Sequence, residues 1–310
     1  MSSTTSIQFK LEYALTKILG LLARGLSQRS AAILGDRLGG FFFRFIPIRR
    51  DVAFKNLQHA LGNEKSDAEL WDILERDYRH FGQMLLEFAR IPLLKRNKIL
   101  QQIPVKNRHI LEQALAKGKG VLVLSGHFGN WEYLAAAAAQ IGPPLYAVFK
   151  EQKNKQVDEL IKKQRVSLGM LPLKVKGGAA RGILAAVREG AKVLILFDQD
   201  AGGKGRFIDF FGRPASTTDG PARIAIKYHV PAVFAYGLRD KNGQITVTFE
   251  QFPDPESFEN SENGITRFIE TYNARMERQI RRHPEQYFWM HRRWLTWERH
   301  QEKLKTLKNV

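Results

Sequence analysis

Apolar positions in the first hundred residues recur at intervals of three and four, as in "LWDILERDYRHFGQMLLEFAR" (70–90), and no strand-like run interrupts them. That spacing predicts a helical amino-terminal region. From about residue 105 the pattern changes to short apolar runs: "GVLVLS" (120–125), "LYAVF" (145–149), "KVLILF" (192–197), "PAVFAYGL" (231–238) and "ITVTFE" (245–250). Between them, 153–169, 178–190, 219–229 and 264–283 carry helical spacing, and several of these stretches start or end at glycine, as helices do. Strands alternating with helices predict an α/β fold, with a mixed, mainly parallel sheet flanked by helices. The expected division is a helical region over 1–104 and an α/β unit over 105–310.

Two early segments carry more apolar surface than a solvated helix needs: "LEYALTKILGLLARGL" (11–26) and "LGGFFFRFIPIRR" (38–50). Glu12, Lys17 and Arg24 interrupt the first, so no uncharged run of about 18 residues exists to span a bilayer. Leu and Phe interspersed with basic residues suit a helix lying at a lipid headgroup boundary, and suit equally one packed on the protein itself; the three consecutive phenylalanines favour membrane association.

Composition narrows the function. Forty-nine Lys and Arg against 31 Asp and Glu give a formal charge of +18, which attracts polyanions such as nucleic acid, anionic lipid or an acidic protein. With no cysteine, the chain has no disulfide framework and no thiolate nucleophile or ligand. No secretory signal pattern opens the sequence, so the cytoplasmic side is expected.

Candidate chemistry collects where strands end. In "LSGHFGNWEYLA" (124–135), His127 follows a strand directly, and Glu132 falls where a helix begins. Five residues along an ideal helix turn about 500°, so the two side chains do not share a helical face. With His127 on a turn permitted by Gly126 and Gly129, the carboxylate of Glu132 is expected to approach the imidazole as a general-base dyad. A capping role for Glu132 beside a structural histidine is the plainer alternative. Ser125 sits outside any G-x-S-x-G elbow and reads as structural.

A second polar stretch, "LFDQDAGGKGRFIDFFGRPASTTDGPARIA" (196–225), again follows a strand. Asp198 and Asp200 can hold a metal on a diphosphate, as in glycosyltransferases, or anchor the glycine-rich loop by hydrogen bonds; the second fits better. Lys204 and Arg206 offer cations for phosphate or face water. In "WMHRRWLTWERH" (289–300), Trp, Arg and His together would suit a nucleic-acid surface, but no recognised nucleic-acid module is present. An amphipathic closing segment packing Trp289, Trp294 and Trp297 on the core is at least as good a reading.

Taken in order, "HFGNWE", the 196–225 block and "HPEQYFWMHRRWLTWE" (283–298) resemble the bacterial lipid A late acyltransferases of the lysophospholipid acyltransferase superfamily, over roughly residues 40–298. The family signature H-x4-D/E falls on His127 and Glu132. The resemblance implies transfer of a fatty acyl chain from an acyl carrier protein thioester to a hydroxyl of a lipid A precursor, with no cofactor or metal and no nucleic-acid partner. The expected place is the cytoplasmic face of the cell inner membrane. His127 is then the general base and Glu132 its orienting acid. Asn130, Lys150, Asn154, Arg165, Asp200, Arg206 and Phe211 are the residues expected to meet substrate. Lys150 stands where the family often has Arg, keeping the charge and losing the bidentate fork. The oxyanion donor is expected among backbone N–H groups near Gly129 and Asn130, or from Lys150, Arg165 or Arg206. The same superfamily includes enzymes for other lipid acceptors, which the motifs do not separate.

Overall fold

The structure, a computed structural model, describes residues 3–46, 48–148, 152–173 and 178–308. The helical reading of the amino-terminal region holds. It forms α1 (Ser3–Gly25), α2 (Gln28–Phe45), α3 (Arg50–Leu61), α4 (Asp67–Arg90) and the short α5 (Ile99–Gln102). Ser66 starts α4 with a full capping box: its hydroxyl accepts from Glu69 N–H, and the Glu69 carboxylate accepts from Ser66 N–H. No helix among the described residues is long and apolar enough to cross a membrane.

The rest alternates as the apolar runs predicted: β1 (Val105–Lys106), α6 (Arg108–Ala116), β2 (Val121–Ser125), α7 (Trp131–Ala139), β3 (Leu145–Ala147), α8 (Lys155–Ser167), β4 (Met170–Pro172), α9 (Ala179–Arg188) and β5 (Lys192–Leu196). There follow β6 (Arg206–Phe210), β7 (Arg213–Thr217), α10 (Gly220–Tyr228), β8 (Ala232–Arg239), β9 (Ile245–Gln251), α11 (Glu262–Arg282) and α12 (Leu295–Lys308). Among the described residues the main sheet has seven strands, in the order β1-β9-β8-β2-β5-β3-β4. From β8 through β4 all pairings are parallel, and β9 runs antiparallel to β8. The mixed, mainly parallel sheet is thus as expected. The part of the 196–225 block read as a glycine-rich loop forms, beyond its first turn, the antiparallel hairpin β6–β7.

Every residue of β2 is buried, because a central parallel strand is covered on both faces and must be apolar throughout. Alanines 135–139 let α7 lie close on one of those faces. Lys192 opens β5 fully buried, donating to the carbonyls of Ala138 and Ile141 at the end of α7, and burial pushes its ammonium down to about 7. The helical region is not separately packed. Leu57 of α3 and Leu70 and Leu74 of α4 share one core with Leu122 and Leu124 of β2.

Candidate active site

Parallel register makes the site. β2 and β5 are hydrogen-bonded neighbours with Ser125 opposite Leu196, so His127 and Asp198 each leave the sheet two residues past a paired position, at the carboxyl edge where open α/β sheets place ligands. His127 Nδ1 lies 2.9 Å from Asp198 Oδ1, and His127 backbone N–H donates to Asp198 Oδ2 at 2.9 Å. Gly126 leaves little room beside this contact: a Cβ there would stand 2.5 Å from Met276 Cε and 3.1 Å from the Asp198 carboxyl carbon, so both side chains would have to shift.

Asp198 is 3% exposed. Burial raises its carboxyl, but the His127 charge and two His127 hydrogen bonds more than offset this and hold it below its ordinary range. A carboxylate on Nδ1 fixes the tautomer that leaves Nε2 as acceptor. Gln199 Nε2 stands 3.3 Å from that Nε2. Trp131 and Phe288 set their rings against the imidazole, with centroids at 5.0 and 6.3 Å.

The expected dyad is therefore corrected. Glu132 does not orient His127; its carboxylate is held by Arg165, with Nε–Oε2 at 3.1 Å and Nη2–Oε1 at 2.6 Å. The reason is local: Glu132 sits in the first turn of α7 with its side chain 6% exposed, where Arg165 of α8 takes both carboxylate oxygens. For Asp198 the sequence offers a metal ligand or a loop anchor, the second fitting better, and not a partner for His127; its place just past a strand end is the signal that points to one.

The other predicted residues divide. Arg165 and Asp200 line the same cavity as His127 and Glu132. Asp200 is also structural, accepting from Gly202 N–H, Thr296 N–H and the Thr296 hydroxyl, which ties the loop to the start of α12. Both carboxylates of the Asp-x-Asp pair are thus spent on protein donors. Asn130 caps α7 through Tyr133 N–H and donates to Glu87, which is itself held by both terminal nitrogens of Arg239 at 2.7 Å; it is a framework residue. Asn154 caps α8 and reaches Phe9 O and Glu12 on α1. Arg206 is drawn away to Glu262 and Thr266. Phe211 is buried at the β6–β7 turn beneath Arg281. None of these last four lines the cavity. Lys150 lies outside the described residues.

The expected backbone oxyanion donors are also corrected. Gly129 N–H is taken by Gln286 O and Asn130 N–H by Gly237 O, each at 2.7 Å. Gly129 adopts φ +60°, and a Cβ on it would meet Gly237 O at 2.1 Å, so the turn is clamped against β8.

The cavity holding His127 has a volume of about 590 Å³, in the range of small-molecule sites. Its lining joins polar groups, among them His127, Gln199, Asp200 and Arg165, with apolar ones such as Ala135, Met170, Ile183 and Leu194. An imidazole poised as a base beside an apolar slot can deprotonate a hydroxyl next to a hydrocarbon chain.

Comparison with known proteins gives the chemistry a lineage. The family model described as bacterial lipid A biosynthesis acyltransferase matches residues 6–296. The chain is 24% identical over 264 residues to the lipid A biosynthesis palmitoleoyltransferase of Escherichia coli (strain K12), covering 85% of this chain and 84% of that one. It is 25% identical over 268 residues to the lipid A biosynthesis lauroyltransferase of the same organism, with 85% and 84% covered. A phosphatidylinositol mannoside acyltransferase of Mycolicibacterium smegmatis is 23% identical over 176 residues, 56% of this chain and 58% of that one. With a family model matching nearly the whole length, and with the strand-edge histidine set beside an apolar cavity, this chain belongs to the bacterial lipid A biosynthesis acyltransferases and is an acyltransferase enzyme.

Proposed function

We propose that this enzyme moves a fatty acyl chain from an acyl carrier protein thioester to a hydroxyl of a lipid A precursor at the cytoplasmic face of the inner membrane, with His127 as general base and Asp198 as its orienting carboxylate. The observation that carries this is the 2.9 Å contact of His127 Nδ1 with buried Asp198, on a histidine that lines the apolar cavity. His127 Nε2 takes the proton of the acceptor hydroxyl as its oxygen attacks the thioester carbonyl. Asp198 stabilises the imidazolium, which returns the proton to the departing thiolate. Glu132 holds Arg165 at the cavity wall, a cation suited to the phosphorylated groups of the substrates.

The apolar wall receives the acyl chain, each buried methylene contributing about 0.8 kcal/mol. A +18 surface favours both an acidic carrier protein and a phosphorylated acceptor. Membrane attachment is supported by α1, where Ile7, Leu11, Leu15, Ile18 and Leu22 are each more than half exposed at spacings of three and four. Phe41 and Phe45 of α2 are exposed as well, 49% and 68%.

The test uses purified full-length protein with acyl carrier protein thioester as donor and phosphorylated lipid A precursor as acceptor. His127→Ala is expected to lower kcat by roughly 10²–10⁴. Activity near wild type in that variant would end the general-base reading, and transfer only to a phosphatidylinositol mannoside would move the acceptor.

A further inference from the structure

We propose that Gln199 is a catalytic residue: its side-chain amide, which contacts His127 Nε2, turns to donate to the oxyanion of the tetrahedral intermediate. The inference rests on the acyl-transfer reading and supplies what that reading lacks, a donor for the developing negative charge.

Proximity to the basic nitrogen leads there, once the donors expected from the sequence are placed. The N–H groups of the histidine turn are spent on Asp198, Gly126, Gln286 and Gly237, so no backbone donor of residues 127–130 faces the cavity. Arg165 commits Nε and Nη2 to Glu132. Arg206 does not line the cavity. Gln199 does, and its Nε2 is 3.3 Å from the basic nitrogen.

The surroundings suit the role. With Nδ1–H donated to Asp198, Nε2 carries a lone pair, and the Gln199 amide donates to it over a distance long enough to mark a weak, exchangeable bond. The backbone of residue 199 is fixed on both sides: Asp198 is held by His127, Asp200 by Gly202 and Thr296, and the Gln199 carbonyl accepts from buried Arg293 at 3.4 Å. The side chain, by contrast, lines the cavity. The acceptor hydroxyl must occupy the position at Nε2 that the amide holds. Once displaced, the amide, carried on its fixed backbone, turns to the oxygen of the attacked carbonyl.

As the oxygen–carbon bond forms, the hydroxyl proton passes to Nε2 and the carbonyl electron pair becomes the oxyanion, which the amide stabilises. Collapse then breaks the carbon–sulfur bond, and the thiolate takes the proton from Nε2. The amide itself exchanges no proton, so its contribution is preorganised charge stabilisation.

The experiment compares wild type with Gln199→Met, which keeps the length and removes the donor, and with Gln199→Ala, Gln199→Glu, Lys150→Ala and His127→Ala. Steady-state kinetics against pH use acyl carrier protein thioester and lipid A precursor. Gln199→Met and Gln199→Ala are expected to lower kcat by roughly 10²–10³ with KM for both substrates within about twofold. Gln199→Glu sets a carboxylate beside Nε2, favours the imidazolium, and moves the acid limb of the profile to higher pH, a change that loss of packing alone does not produce. Overturning results are a kcat within about threefold of wild type in Gln199→Met and Gln199→Ala, a loss confined to KM, or a kcat loss found in Lys150→Ala but not at Gln199. Wild type active and His127→Ala inactive, with Gln199 variants unimpaired, would sink this inference alone. An inactive wild type would take the acyl-transfer reading down with it.

Discussion

Three residues from two strand ends carry the proposed chemistry, and the Asp198 carboxylate is the one whose state is most tightly set. It is buried, yet His127 holds it ionised below the ordinary carboxylate range. Asp198→Asn keeps the shape and loses the charge. The imidazole can then settle in the wrong tautomer, so kcat is expected to fall by roughly 10³–10⁴ with the fold intact. A depressed folded-state carboxyl contributes stability in full above its unfolded value, near pH 4, and loses it as pH falls further. Acid unfolding of Asp198→Asn, followed by circular dichroism, should therefore show a shallower loss below pH 4 than wild type. An unchanged rate in this variant would leave His127 without its orienting partner. The same scale explains why Glu132 misled the sequence reading. Nearness along the chain suggested a dyad, but the start of a helix fixes where a side chain points, and α8 offered it an arginine.

At the scale of elements, α4 connects the amino-terminal helices to the turn that carries His127. On one side its Gly82 meets α2 so closely that a Cβ would lie 2.1 Å from Gly35 O. On the other, His80 Nε2 is 3.3 Å from Gly129 O, and Glu87 holds Asn130. Two effects compete in Gly82→Ala. Alanine gains about 1 kcal/mol in helix propensity, and overpacking costs about 1–3 kcal/mol. Contact with rigid backbone makes the second win, and denaturant titration should show a net loss of stability. Gly20→Ala, within α1, meets only Arg24 Nη2 at 3.6 Å and should be neutral or stabilising in the same titration. A stable Gly82→Ala protein would mean that the two helices can part without cost. Spacing in the sequence predicted these helices, but not that glycines would set their approach, since a small residue matters only once its neighbour is known.

For the whole molecule, the partner we propose for the exposed apolar rows of α1 and α2 and the +18 charge is an anionic bilayer. Leu11→Glu combined with Leu15→Glu should abolish co-sedimentation with vesicles of anionic phospholipid at moderate salt, while kcat on a detergent-dispersed acceptor stays within about twofold; unchanged sedimentation would mean that this face meets protein instead. Much of the architecture was legible beforehand. Apolar period alone determined the helical first hundred residues and the β2, β3, β5, β8 and β9 runs, because burial on one or two faces leaves a repeat that is local in the chain. The H-x4-E motif drew attention to the turn that leaves β2, where the structure sets His127 against Asp198. What the sequence could not determine was the partner of His127, which lies 71 residues away. Only the parallel pairing of β2 with β5 brings Asp198 and Gln199 to that imidazole, because strand register is set by the packing of the whole sheet and leaves no periodic trace in the residues it joins.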